Sequence, residues 1–202
     1  IAGRIADYVE LLNPNATPAS LDGMSLSVNS AEPGQFLFPS STIVPANGYL
    51  IIWCDGDRPA SLAADDLNTG RSLDGESGGA YLFNAQGQLV NSIEYGFQVA
   101  DLPVGLTGGS WRLLSAATPG SANASPAPLG TNRVLRINEW MANPSNGDDW
   151  CELFNSTNRP VELSGLTLTD DPTTIGFAQF RIPPLSFIGA NEFVKWIADG
   201  NA

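Results

Sequence analysis

The sequence of 202 residues contains no histidine, and Lys195 is its only lysine. Without histidine, Ser-His-Asp and Cys-His catalysis in their usual forms are excluded, as is every metal site that needs an imidazole ligand. A single lysine leaves one position for Schiff-base chemistry. Carboxylates are numerous, but no two of them are marked as a pair for glycoside hydrolysis. We therefore predict that the protein is not an enzyme.

Basic residues are scarce throughout the chain. The chain has nine Lys and Arg residues and 21 Asp and Glu residues, which gives a formal net charge of −12. Binding to a nucleic-acid backbone needs clustered cations, and an anionic membrane surface attracts them too. No apolar run reaches the ~18–20 residues of a membrane span. We therefore expect no nucleic-acid partner and no membrane insertion.

Cysteine is also rare, with only Cys54 and Cys151. Their separation fits neither a zinc site nor a CxxC motif. They could form a disulfide with each other, or they could be two buried thiols that pack as small apolar residues. Because Cys54 alternates with Leu50 and Ile52, and Cys151 takes the position of Val9 in the repeat described next, we predict two reduced thiols in separate cores.

The chain contains an internal sequence repeat. DYVELLNPNATPASLDGMSLS at 7–27 aligns without gaps with DWCELFNSTNRPVELSGLTLT at 149–169. After two extra residues in the second copy, FLFP at 36–39 meets FRIP at 180–183, and ANGYLIIWCDGD at 46–57 meets ANEFVKWIADGN. A register held over so many residues predicts two copies of one module.

The pattern between turn residues predicts β-structure. Apolar or alternating runs of about five to seven residues are separated by Gly, Pro, Asn and Asp, and no segment keeps a 3.6-residue period. With 21 Gly and 15 Pro, many tight turns are expected. Short strands at this spacing predict an all-β antiparallel sandwich or barrel.

The repeat also predicts domain boundaries. The first module spans 1–123 with its first strand expected to be missing, 124–132 is a Pro/Ala/Ser linker, and the second module at 133–202 holds only an N-terminal half. Half a sandwich would expose its apolar face and unpaired backbone. We therefore expect 133–202 alone not to be a stable monomer. It should need following residues, pairing with the first copy, or a second chain.

The order of several motifs resembles one known family. In the second copy these are INEWMA at 137–142, DWCELFN, and LSGLTLTDD at 163–171. In the first copy they are LDG, IVPANGYLIIW, SGGAYLFNAQGQLVNSIEYG, then Gln98, Asp101 and ATPGSAN. Together they look like tandem bacterial lamin tail domains, the first nearly complete and the second truncated.

This resemblance implies an immunoglobulin-like β-sandwich, present in two tandem copies. It also implies a non-catalytic module of a larger secreted or cell-surface bacterial protein. Such a module spaces or joins domains and contacts other protein modules, of the same chain or of a neighbouring copy. The alternative is a carbohydrate-binding module of an extracellular enzyme or adhesin. Fold alone does not decide between them.

Tryptophan is the residue type most able to stack on a sugar. In the second copy, the charged Lys195 indicates the solvent-exposed face of its strand. Trp196 on the other face is therefore predicted to lie in the core. By the same alternation, Trp53 lies on the less buried face of the first copy. Trp53 is therefore the candidate ligand contact, with coverage by a neighbouring loop as the alternative.

Carboxylates offer two further candidates. Asp55 and Asp57 in CDGD are the best place for a Ca²⁺ ion, although Asx turns account for such acids without a metal. Apart from this possible calcium, we expect no cofactor. Glu10 and Glu152 stand at equivalent mid-strand positions. Each presents a carboxylate on a binding surface or accepts hydrogen bonds from a neighbouring loop, and the second reading is favoured.

Overall fold

The computed structural model describes residues 6–169, 171, 173 and 180–198. Within these residues there is no α-helix, and one 3₁₀ turn spans Asn132–Val134. The strands are β1 Asp7–Asn13, β2 Ala19–Ser20, β3 Ser25–Ser27, β4 Phe36–Leu37, β5 Ile43–Val44, β6 Gly48–Cys54, β7 Gly78–Phe83, β8 Leu89–Tyr95, β9 Val104–Thr107, β10 Ser110–Leu113, β11 Leu135–Met141, β12 Asp149–Asn155, β13 Val161–Glu162, β14 Thr167–Leu168, β15 Phe180–Arg181, β16 Phe187–Ile188 and β17 Phe193–Ala198. All strand pairs with a resolved register are antiparallel. The prediction of an all-β antiparallel fold is confirmed.

The chain forms two compact units. Unit 1 comprises Ile1–Asp74, Gly78–Glu94 and Thr118–Asn123, and unit 2 comprises Gly75–Ser77, Tyr95–Ala117 and Ala124–Ala202. These units differ from the boundaries that the repeat predicts, because residues 95–117 pack in unit 2 although the repeat assigned them to 1–123.

Unit 1 is built on the pairing of β1 with β6 and on a four-stranded sheet in the order β4-β3-β7-β8. Alternation along β1 turns Val9 and Leu11 towards the core and leaves Leu12 exposed. The core consists of Leu21, Leu26, Phe36, Phe38, Val44, Ile52 and Leu67. Burial of these apolar side chains is the main stabilising contribution in this unit.

Unit 2 is built on the sheet β11-β12-β17. Its main core consists of Leu153, Val161, Leu163, Ile182, Ile188, Val194 and Trp196. The segment 95–117 completes that core: Phe97 meets Trp196 edge to face at 5.1 Å, and its carbonyl accepts from the Phe187 N–H at 2.7 Å. A second cluster joins Val99, Leu113 and Ala127 to Phe187. The predicted core position of Trp196 is confirmed.

The repeated segments have the same local geometry in the two units. β1 pairs with β6 from Asp7↔Cys54 onward, and β12 pairs with β17 from Asp149↔Ala198, the equivalent register. The pairs β2–β5 and β13–β16 also occupy equivalent positions. Thus the sequence repeat is accompanied by the same strand pairings.

A buried asparagine ends the first repeated strand in each unit. The Nδ2 group of Asn13 donates to the carbonyls of Thr17, Val44 and Pro45. In unit 2, Nδ2 of Asn155 donates to the carbonyls of Arg159 and Gly189, both at 2.7 Å. Each side chain thereby satisfies buried backbone acceptors of a turn and closes that turn against its strand pair.

Both cysteines are free, as predicted. Cys54 is buried in unit 1 and Cys151 is half-buried in unit 2. Burial raises the pKa of the Cys54 thiol to about 11, and it also raises that of Cys151. Cys54 is buried, so its side chain acts as a small apolar packing residue.

Candidate functional site

Trp53 does not offer a binding face. Its side chain is only 7% exposed, Tyr8 packs edge to face against it at 6.0 Å, and its backbone pairs with the segment at Leu67 and Thr69. A buried ring has no open face to stack on a sugar. The prediction of a ligand contact at Trp53 therefore has to be corrected. Alternation identified its face, but not the packing of Tyr8 against the ring.

The acids of CDGD form a turn. The N–H of Asp57 donates to Oδ1 of Asp55 at 3.1 Å, which is the hydrogen bond of an Asx turn. The N–H of Asp55 donates in turn to Oδ1 of Asn68. Among the residues that the structure describes, no group of three or more His, Cys, Asp or Glu residues is placed to hold a metal ion. Ca²⁺ prefers six to eight oxygen ligands, and a calcium ion at Asp55 and Asp57 stays a prediction.

Glu10 and Glu152 have different partners at equivalent positions. In unit 1, Oε2 of Glu10 accepts from the backbone N–H of Gly120, within the turn that follows Thr118. Burial raises the pKa of the Glu10 carboxyl, and the bond from Gly120 lowers it. In unit 2, Oε1 of Glu152 accepts from Nδ2 of Asn138 at 2.8 Å. Glu10 therefore fits the favoured interpretation, in which the carboxylate accepts a hydrogen bond from a neighbouring loop.

The most open surface lies on unit 2, on the face of the sheet β11-β12-β17 that points away from its core. We call this surface the outer face. Because directly opposed residues of antiparallel strands share a face, register assigns to it Arg136, Glu139, Met141, Trp150, Glu152, Phe154, Phe193, Lys195 and Ile197. Lys195 is the residue that identified this face from sequence.

The outer face is mainly apolar and aromatic. The rings of Phe154 and Phe193 are stacked at 4.4 Å with 17° between their planes, and Nζ of Lys195 lies 5.6 Å from the centre of the Trp150 ring. Phe193 and Ile197 are each about half exposed, and Met141 is 40% exposed. Several large apolar side chains exposed together on one sheet mark an interaction surface.

Strand β11 exposes apolar side chains on the core side of the sheet as well. Ile137 opposes Leu153 and Trp140 opposes Cys151, yet Ile137 is 66% and Trp140 is 70% exposed. Sequence reasoning did not single out these two residues. The signal was present in INEWM, where apolar side chains lie beside a charged one, but alternation alone does not tell that Ile137 and Trp140 stay exposed.

The outer face combines exposed apolar side chains with a few charged ones. The described residues contain no histidine and no cluster of three or more His, Cys, Asp or Glu residues placed to hold a metal ion, and Glu152 accepts a hydrogen bond from Asn138. In the part of the chain that the structure describes, no helix is long and apolar enough to cross a membrane. A sheet face on which exposed apolar side chains alternate with charged ones is suited to binding another macromolecule.

The Lamin Tail Domain family model matches residues 2–97 of this chain. This region is therefore similar to lamin tail domains, and its antiparallel sheets agree with the immunoglobulin-like sandwich of that family. No curated protein and no solved structure gives a match.

Proposed function

Starting from the similarity of residues 2–97 to lamin tail domains, we propose that this chain is a non-catalytic interaction module. It spaces or joins domains of a larger secreted or cell-surface bacterial protein and makes contacts with other protein modules. The observation that carries this proposal is the outer face of unit 2, where Met141, Phe193 and Ile197 are exposed on one sheet. Other protein surfaces of matching shape would remove this apolar area from water.

The proposal includes a duplication of one module, with copies at 1–123 and 133–202 and a linker at 124–132. It is supported by the equivalent strand registers and by the buried Asn13 and Asn155. Backbone conformation supports it as well. Asn47 and its equivalent Asn191 both have positive φ, of 50° and 57°, and so do Ser41 and Leu185. Such values are uncommon outside glycine, so two matched pairs favour a shared origin.

The alternative is a carbohydrate-binding module. The same exposed aromatic rings favour it, because sugars stack on open ring faces. Phe154 and Phe193, however, stack on each other, which occupies one face of each ring. A sugar platform needs two or three open, coplanar rings, so this geometry favours a protein partner.

The test is to install the photo-crosslinking residue benzoylphenylalanine at Phe193 in the protein expressed in its own organism. Position Leu89 on β8 is a matched control, because it is equally exposed but lies on unit 1. We expect proteins cross-linked at 193 and absent at 89, identified by mass spectrometry. Glycan-array binding that is lost in Phe193→Ala, without protein cross-links, would instead establish the carbohydrate-binding alternative.

A further inference from the structure

Strand β11 is an edge strand. In the order β11-β12-β17 it stands at the border, and its one partner among the described residues is β12. Every residue from Arg136 to Met141 is exposed. The backbone donors and acceptors along the outer side of a seven-residue edge strand are a template for another strand.

A bulge determines which side chains of β11 share a face. Ile137 opposes Leu153 and Glu139 opposes Glu152, so Asn138 is the additional residue. Arg136 and Glu139 therefore both lie on the outer face although they are three positions apart. Leu135, Ile137 and Trp140 lie on the core side. The strand thus carries a cation before the bulge and an anion after it.

This distribution of charge is complementary to itself. If a second β11 strand runs antiparallel about a two-fold axis between Ile137 and Asn138, Arg136 of each copy stands opposite Glu139 of the other. The same register places Leu135 opposite Trp140, so the faces match on both sides of the bulge. Opposite charges in directly opposed positions stabilise a strand pair, whereas like charges destabilise it.

The present partners of these groups leave this pairing open. The Arg136 guanidinium donates through one nitrogen to the carbonyls of Arg133 and Leu135, at 2.9 and 2.8 Å, and guanidinium carries five donors in total. Trp140 and Ile137 would each lose exposed apolar surface beside a second strand. Covering them is favourable.

We propose that β11 is the docking edge for β11 of a second copy of this chain, forming a continuous six-stranded sheet. This rests on the proposed function as an interaction module and names its partner. A two-fold interface is isologous, so the pairing of Arg136 with Glu139 occurs twice in the dimer.

The experiment is sedimentation equilibrium of the full chain from micromolar to millimolar concentration, at physiological salt to screen the net charge of −12. We expect a monomer–dimer equilibrium. Arg136→Glu and Glu139→Arg, made singly, each place like charges opposite each other and should raise the dissociation constant about tenfold. The double variant exchanges the charges and should restore the original dissociation constant.

Matched controls are Arg159→Glu and Glu162→Arg, which make the same changes at exposed positions of unit 2 away from β11. They should leave the dimer unchanged. A chain that stays monomeric throughout, a dimer insensitive to both single changes, or a double variant without recovery would each overturn the proposal. Cross-linking at Phe193 tests the outer face, so either result can fail without the other.

Discussion

At the scale of single residues, Asn13 and Asn155 connect sequence to structure most directly. Each is the last residue of a repeated strand, is buried, and donates to carbonyls of the turn that follows. Their Oδ1 atoms also accept, from the N–H of Asn15 and Thr157 respectively. A polar side chain tolerates burial when its donors and acceptor are satisfied, as here.

Replacing either asparagine by alanine should therefore destabilise its own unit. We expect Asn13→Ala and Asn155→Ala each to lower the free energy of unfolding by about 2–4 kcal/mol, since several buried carbonyls lose their donor. The exposed Asn158→Ala serves as control and should change little. Urea denaturation of the three variants measures this, and equal values for Asn155 and Asn158 would contradict it.

The Cys54 thiol makes stability depend on pH. Burial raises its pKa from an ordinary 9.0 to about 11. Between these values the unfolded chain has lost the proton while the folded chain still holds it, so the free energy of unfolding falls as pH rises. The stability that the protonated Cys54 thiol contributes is fully present below pH 9.0, and it is lost as pH rises through about 11.

We therefore compare the protein with Cys54→Ala, which lacks the group. Across that window the wild type should lose about 2–3 kcal/mol more than the variant. Urea denaturation at a series of pH values gives both curves. A difference between them that stays constant with pH would show that the thiol does not titrate in this way.

At the scale of elements, the sheet β11-β12-β17 shows how position decides what a side chain does. Trp196 on β17 and Trp140 on β11 are both on the core side, and both oppose Cys151. Trp196 is 8% exposed under Phe97, whereas Trp140 is 70% exposed. Both strands stand at a border of the sheet, and the difference is that the ring of Phe97 packs against Trp196.

This contrast predicts opposite outcomes for the same substitution. Trp196→Ala should lower the free energy of unfolding by about 3–5 kcal/mol, because it leaves a large cavity. Trp140→Ala should change it by about 0.5 kcal/mol or less, as at other exposed positions. Thermal denaturation at low protein concentration compares them. Similar losses in both variants would mean that Trp140 is covered in the monomer.

At the scale of the whole molecule, the two compact units are not the two repeats. Residues 95–117 belong to the first predicted module, 1–123, but pack in unit 2 through Phe97, Val99 and Leu113. Nε2 of Gln98 adds a bond to the Leu185 carbonyl at 2.8 Å. Unit 2 thus obtains part of its core from outside 133–202.

Two fragments test this division. The fragment 95–202 should fold cooperatively, with protected amides in β12 and β17, because it contains both clusters of unit 2. The fragment 133–202 should not, since Trp196 and Phe187 lose their cover. Amide hydrogen exchange on monomeric samples distinguishes them. Cooperative protection in 133–202 alone would contradict both this expectation and the one drawn from the repeat.

The sequence by itself determined the strands and the repeat. Period-2 alternation depends only on neighbouring residues, so it correctly predicted that Ile52 and Cys54 are buried together. In the same way, Lys195 identified the solvent-exposed face of its strand. The register of β1 on β6 recurs in β12 on β17 because the same apolar positions must be buried in each. The alternation is a local feature, and the strand register recurs because the segment is repeated in the sequence.

Tertiary structure alone decided which faces stay open. Alternation gives Trp53 and Ile197 equivalent positions, yet Trp53 is buried beside Tyr8 while Ile197 stays half exposed. Trp140 and Trp196 lie on the two border strands of one sheet, yet Trp196 packs under Phe97 while Trp140 is 70% exposed. Coverage comes from residues far away in sequence, and no periodicity encodes which distant segment arrives. The candidate binding surface is therefore the outer face and the edge strand of unit 2 rather than Trp53.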